Sequence, residues 1–294
     1  MSDERSNNTE GSLQARIKNV AKDQRRSAND LFKQLYLERF LARLARSEHA
    51  DQFIFKGGRL LAFLIDLGRE TTDLDFMVTR LAAEEPVLRE AFQEIAATPS
   101  DDGFAMTLVG IKPLVQAHMD YPGFRATIEI RLMNGKMRDR LQIDLGVGDL
   151  VTPAKKELGL LNHRGQALFE ESISLLVYPV ETIYAEKLET VISKGGLNSR
   201  MKDFHDLLLM GRQNGLIELD RLEECVRSTF AHRGTELQLP IDFIAPGWVS
   251  LQSHWDRHLA TVADLPVAPN LPTEIRIVVA EINDCLRRAG LITR

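Results

Sequence analysis

The residues with the clearest chemical potential are Asp73 and Asp75, one residue apart in the run Asp-Leu-Asp-Phe-Met-Val. That run alternates as a strand does. Residues two apart on a strand share a face, which sets these carboxylates about 7 Å apart at Cα, with Leu74 and Phe76 turned to the core. Paired carboxylates repel one another unless a cation sits between them. Hard oxygen donors suit Mg²⁺, which commonly takes one or two carboxylates together with substrate phosphates. Upstream, Gly57-Gly58 follows Lys56 and lets the backbone turn tightly and approach another group closely. A helix begins there, and its first N–H groups favour phosphate. Asp144, on the polar side of a second strand, reads alone as a solvent-facing carboxylate on an edge. Taken with Asp73 and Asp75, it completes a three-carboxylate metal cluster.

These residues need elements to position them. Phe53-Ile54-Phe55 is β-prone, and Leu60, Leu61, Phe63, Leu64 and Leu67 recur at helical spacing up to Gly68. Ahead of them, Leu13–Lys22 and Ser27–Ser47 read as helices, the second with an apolar stripe of Leu31, Leu35, Phe40, Leu41 and Leu44. Glu84–Ala97 reads as a helix and Ala105–Val109 as a strand, while Lys112–Tyr121 is ambiguous. Ala126, Ile128, Ile130 and Leu132, then Leu141, Ile143 and Leu145, alternate with polar residues across Asn134-Gly135, a preferred two-residue hairpin turn. Ser172–Tyr178 is strand-like and ends at Pro179. Beyond it come five helical patterns: Val180–Ser193, Arg200–Gln213, Asp220–His232, Trp248–Val262 and Pro272–Ala289. The expected class is α+β, a mixed sheet flanked by helices and followed by an all-helical C-terminal domain. The expected division is a disordered tail over 1–14, a first domain over 15–170 and a mainly helical domain over 171–294, the change of composition falling near residues 165–180.

Composition narrows the function. A net charge of −5 argues against a general nucleic-acid coat. Residues 15–46 are locally basic, with nine Lys/Arg against three Asp/Glu. They read either as a solvated helix face or as a landing strip for phosphates, with Arg25, Arg26, Arg39, Arg43 and Arg46 along it. No apolar run is long enough for a membrane span, and Met1–Gln14 lacks an apolar signal core. Cys225 and Cys285 have no metal spacing, and free thiols fit a reducing compartment; the expected location is cytoplasmic. The histidines form no zinc-ligand set, and neither a P-loop nor a nucleophile elbow is present.

Further along, Lys187 reads as a surface lysine or as a cation serving the Asp-x-Asp pair. Asp203 and Asp206, i and i+3 on a helix, share a face. Lys56-Gly57-Gly58, then Arg69-x-Thr71-x-Asp73-Leu74-Asp75-Phe76, then Gln142-Ile143-Asp144-Leu145-Gly146, Ala185-Glu186-Lys187-Leu188 and Arg200-x-Lys202-Asp203-Phe204-x-Asp206-Leu207 follow in that order. Together they resemble the AbiEii/AbiGii-type nucleotidyltransferase toxins of the DNA polymerase β-like superfamily, over residues 53–210. Where the superfamily's usual turn is Gly-Ser, this chain has Gly57-Gly58.

The resemblance implies a Mg²⁺-dependent transfer of nucleotides from an NTP to an acceptor in a toxin–antitoxin or phage-defence system. The 3′ end of tRNA is the leading acceptor; a protein or small molecule is the alternative, and a catalytically inactive binding module is the rival of a different class. By the same resemblance Asp73, Asp75, Lys187 and Asp203 are catalytic. Lys56, Gly57, Gly58, Arg69, Thr71, Thr72 and Asp206 bind the nucleotide, and Asp73, Asp75 and Asp144 hold metal. A winged-helix antitoxin is an implied partner. No motif gives a role to the residues after about 215.

Overall fold

The computed structural model describes residues 10–69, 71–114, 123–147 and 151–293. The expected tail is helical where it is described: Glu10–Gln14 form the first turn of α1 (Glu10–Gln24), because Leu13, Ile17 and Val20 bury one face of that helix. Residues 115–121 of the ambiguous segment, and residues 148 and 149 after Asp144, lie outside the described residues. The chain forms two compact units. The first takes the described residues up to Phe63 and those from Thr71 to Tyr178; the second takes Leu64–Arg69 and the residues from Pro179 on.

In the first unit α2 (Ala28–Arg46), β1 (Phe53–Lys56), α3 (Gly57–Leu64) and β2 (Leu74–Val78) follow α1. Then come α4 (Glu85–Ala97), β3 (Phe104–Leu114), β4 (Gly123–Leu132), β5 (Arg138–Val147), β6 (Ala154–Gly159), the short β7 (Asn162–His163) and β8 (Gln166–Ala167), and β9 (Ser172–Val177). Seven strands make one mixed sheet in the order β3-β4-β5-β2-β1-β9-β6. β2 runs parallel to β5 and antiparallel to β1, and β1 runs parallel to β9.

The alternating residues of the hairpin separate as their period requires. Ala126, Ile128, Ile130, Leu141 and Ile143 are fully buried, and their polar neighbours occupy the other face. Arg131 pairs with Arg138, so the hairpin is centred between Asn134 and Gly135 as expected, but the connection is looser than a two-residue turn. The ladder stops before it, and the Gly135 N–H donates to the Leu132 carbonyl. The Glu10 carboxylate accepts the Lys136 N–H at 2.8 Å, which ties α1 to the hairpin end. Phe40 of α2 and Phe92 of α4 pack on Phe53 and Phe76 of the sheet, with ring centroids 5.6–6.5 Å apart.

Burial of α2 overturns part of the expected landing strip. Every residue from Leu35 to Leu44 is buried. Arg43 holds Asp102 through two bonds of 2.7 and 2.9 Å, and Arg39 pairs with Glu170 and lies 4.3 Å over the Phe169 ring. A buried guanidinium is tolerated only with such partners, so neither arginine is open to a phosphate backbone.

The second unit is helical. α5 (Val180–Lys194), α6 (Met201–Arg212), α7 (Leu219–Arg233), α8 (Ala245–Val262) and α9 (Ile275–Arg288) enclose Leu188, Phe204, Val226, Trp255 and Ile282. Within this unit, the Leu67 carbonyl of the Leu64–Arg69 segment accepts from the His205 ring at 2.8 Å. Among the described residues no helix is long and apolar enough to cross a membrane.

Candidate active site

Strand register assembles the first group of residues. Asp75 on β2 lies beside Asp144 on β5 and opposite Lys56 on β1, and Asp144 lies opposite Arg125 on β4, which faces Lys112 on β3. Residues so paired share a face, so five adjacent strands contribute one row of charged side chains. Asp73 precedes β2 by one residue and is exposed; Asp75 is half-buried.

Arg125 binds Asp144 in a fork, with bonds of 2.6 and 2.7 Å. Its guanidinium is held above the ordinary arginine value by that hydrogen-bonded carboxylate, with Asp73 and Asp75 adding to the effect. All three expected carboxylates therefore act on one cation, although both oxygens of Asp144 are engaged by it.

Gly57 explains the Gly-Gly turn. Its φ is +76°, which side chains rarely tolerate, and a Cβ placed there would stand 2.1 Å from Asp75 Oδ2. The start of α3 is thus pressed against the Asp75 carboxylate, and only glycine fits. The Lys56 ammonium also lies 4.4 Å over the Tyr178 ring. Gly58 lies in the first turn of α3, Thr71 is half-buried, and exposed Thr72 has its hydroxyl 3.4 Å from Asp73.

Among the described residues, no three His, Cys, Asp or Glu side chains form a ready-made metal cage. The carboxylates of Asp73 and Asp75 fit an ion of the Mg²⁺ type, which takes one or two protein carboxylates and leaves the rest of its shell to water and phosphate.

The second group lies in the helical unit. Lys187 of α5 reaches Asp203 at 2.9 Å and Asp206 at 2.8 Å. Asp203 also accepts from Arg200 at 2.8 Å, and Asp206 accepts a fork from Arg69 at 2.7 and 2.5 Å. Burial would raise the Asp206 carboxyl, but Lys187 and Arg69 bring it down to about 2. Burial likewise works against the Lys187 ammonium, yet Asp206 and Asp203 hold it above the ordinary lysine value. Asp206 has no exposed surface and the Arg69 side chain is 6% exposed. The two hold each other, and both are buried.

A sequence model of the nucleotidyl transferase AbiEii toxin, type IV toxin–antitoxin system, matches residues 39–273. The chain belongs to that family. This AbiEii-family chain is therefore a nucleotidyltransferase toxin, and a nucleotide substrate and an antitoxin partner follow from the family. The match reaches well beyond residues 53–210 at both ends, so the helices after residue 215 are part of the family's architecture up to residue 273. No curated protein matches the chain. Among solved structures it is similar to a candidate nucleotidyltransferase from H. pylori, with 14% identity, a TM-score of 0.45, and coverage of 90% of this chain and 97% of that one. JHP933 from Helicobacter pylori gives 14% identity, a TM-score of 0.48, and coverage of 90% and 94%. Likenesses this distant carry no argument about mechanism.

Each unit of this AbiEii-family chain also holds a close pairing that the motifs do not announce. Arg125 was visible only as one of several polar residues in an alternating strand; register alone shows that it faces Asp144. His205 and His258, distant in sequence, meet in the helical unit with nitrogens 2.8 Å apart. His205 Nε2 must donate to the Leu67 carbonyl, so in the neutral pair its Nδ1 accepts from His258 Nε2.

Proposed function

We propose that this AbiEii-family toxin transfers a nucleotidyl group from an NTP to the 3′ end of tRNA and so blocks translation. One observation supports the chemistry most: the start of α3 is pressed onto Asp75 through a side-chain-free Gly57, in a row that also holds Asp144 and Arg125. Backbone N–H groups of a helix start beside a carboxylate pair suit a metal–triphosphate. In the reaction the acceptor hydroxyl loses its proton and attacks the α-phosphorus, and the bond to pyrophosphate breaks.

Asp73 and Asp75 would hold Mg²⁺, which when bound supplies positive charge to the phosphates. The Gly57-Gly58 turn binds phosphate oxygens through its backbone, with Thr71 or Thr72 supplying the hydroxyl that a serine in the turn would give. Arg125 holds Asp144 in place through its two-bond fork. The family motif assigns Lys187 to the charge on the triphosphate and Asp203 to orientation. Transfer of this kind depends mostly on positioning and charge neutralisation, so few residues suffice. The winged-helix antitoxin belongs to the same reading.

The test is incubation with α-labelled NTP, Mg²⁺, total cell RNA and cell protein. Label is expected on tRNA-sized RNA, to be abolished by EDTA and reduced about a thousandfold by Asp75→Asn. Label on protein instead, or undiminished labelling by Asp75→Asn, overturns this reading.

A further inference from the structure

Arg39 and Arg43 are buried in α2, although Arg25, Arg26 and Arg46 stay exposed, and a second exposed basic group of the first unit lies on its sheet. The polar face of β3, β4 and β5 carries Lys112, Arg125, Arg131, Arg138 and Arg140, and its apolar counterpart is buried beneath it. Arg131, Arg138 and Lys112 are exposed, and the Arg140 side chain is 68% exposed. Against them stand Glu129, 3.8 Å from Arg140, and Asp144, already held by Arg125.

Arg131 and Arg138 are directly opposite in the register. Like charges so placed repel and weaken the hairpin. Among the described residues neither has an ion-pair partner. An anion lying across the pair would turn this repulsion into attraction. From Arg131 this face of β4 passes Glu129, which is paired with Arg140 of β5, and Thr127 to Arg125, a distance of about 20 Å, and Arg125 stands in the row that holds Asp75. A small acceptor does not span that length, whereas a repeating polyanion does. The residues of β4 and β5 on this face are all polar, without the apolar centre on which a protein interface is built.

We infer that this open sheet face carries the phosphate backbone of the acceptor RNA strand, from the Arg131–Arg138 pair to the Asp75 row, where the terminal hydroxyl is presented. The inference rests on the nucleotidyl-transfer reading and names where its acceptor binds. The contacts are to phosphate, so they position the RNA and do not select its sequence.

The experiment compares wild type with the double variant Arg131→Ser/Arg138→Ser and with Arg131→Lys/Arg138→Lys. Binding of a short single-stranded RNA oligonucleotide is followed by fluorescence anisotropy over a range of salt. For the serine variant the slope of log K against log salt should shrink by about 1.4, and RNA affinity should fall about tenfold. The lysine variant should restore the slope, and the melting temperature of the serine variant should hold or rise. In the transfer assay the serine variant should raise KM for RNA and leave KM for the NTP unchanged. An unchanged salt slope in the serine variant overturns the inference, even where label still reaches RNA and the transferase reading stands. Failure of the wild type to bind RNA overturns it as well. If no transfer is seen at all, the earlier reading fails, and the anisotropy slopes still decide this one.

Discussion

Asp75 sits half in solvent against a bare glycine backbone, in a row that a cation or a phosphate can reach. Asp206 has no exposed surface and is held by Lys187 and by both arms of the Arg69 fork. Both lie within the region that the family model matches, yet the fold surrounds them differently. An acid beside another acid, only partly covered, favours a nearby cation. An acid between two buried cations is already satisfied, and its removal strands them. The comparison teaches that two acids drawn from one run of sequence motifs can differ sharply in burial and pairing, and so in what their removal should cost.

The largest expected effect breaks the scaffold side. Asp206→Asn keeps the shape but leaves Lys187 and Arg69 short of a charge, and should cost about 3–5 kcal/mol of stability. Asp75→Asn, at a half-buried position, should cost clearly less. Urea unfolding of the two variants side by side measures this, and equal losses would erase the contrast.

A smaller effect sharpens it through pH. His258 is drawn down to about 4, first by burial and then by His205 and Arg69, and His205 is also lowered by burial. The folded protein therefore takes up fewer protons than the unfolded chain. Stability is unaffected above about pH 6.5 and falls as the pH drops from there toward 4, by about 3 kcal/mol in total. The contribution of Asp206 is lost only at lower pH, between its ordinary value of 3.8 and about 2. The urea midpoint of wild type should fall more steeply between pH 7 and 4 than that of His258→Gln.

The smallest effect on stability is expected at the open site. Gly57→Ala forces a side chain into a left-handed φ and against Asp75, at a cost of about 1–2 kcal/mol. Displacing that carboxylate by even 1 Å should lower transfer about a hundredfold. A variant that loses stability and keeps its rate would show that the close approach serves only the fold.

Local periodicity made much of this protein legible. The hairpin phase, the helix after Gly57-Gly58 and the five C-terminal helices all follow from alternation or helical spacing. β6 escaped because Ala154–Gly159 is an edge strand with its first four residues exposed, and so shows no alternation. Arg39 and Arg43 misled because charge in sequence says nothing of partners: Glu170 and Asp102 are distant along the chain and were invisible as their mates. The Asp73 and Asp75 pair was readable from spacing. The side-by-side placement of Asp75 and Asp144 comes from a parallel pairing whose register no local pattern records.

The Leu64–Arg69 segment has a practical consequence for anyone who would take the molecule apart. It belongs to the helical unit although its chain neighbours on both sides belong to the sheet unit. A clone ending at Tyr178 would carry these residues without the His205 ring, the Asp206 carboxylate and the Val267 side chain that Gly68 packs against. A clone beginning at Pro179 would leave those groups facing an empty groove. The two units are thus interleaved along the chain, and no single cut separates them as whole pieces.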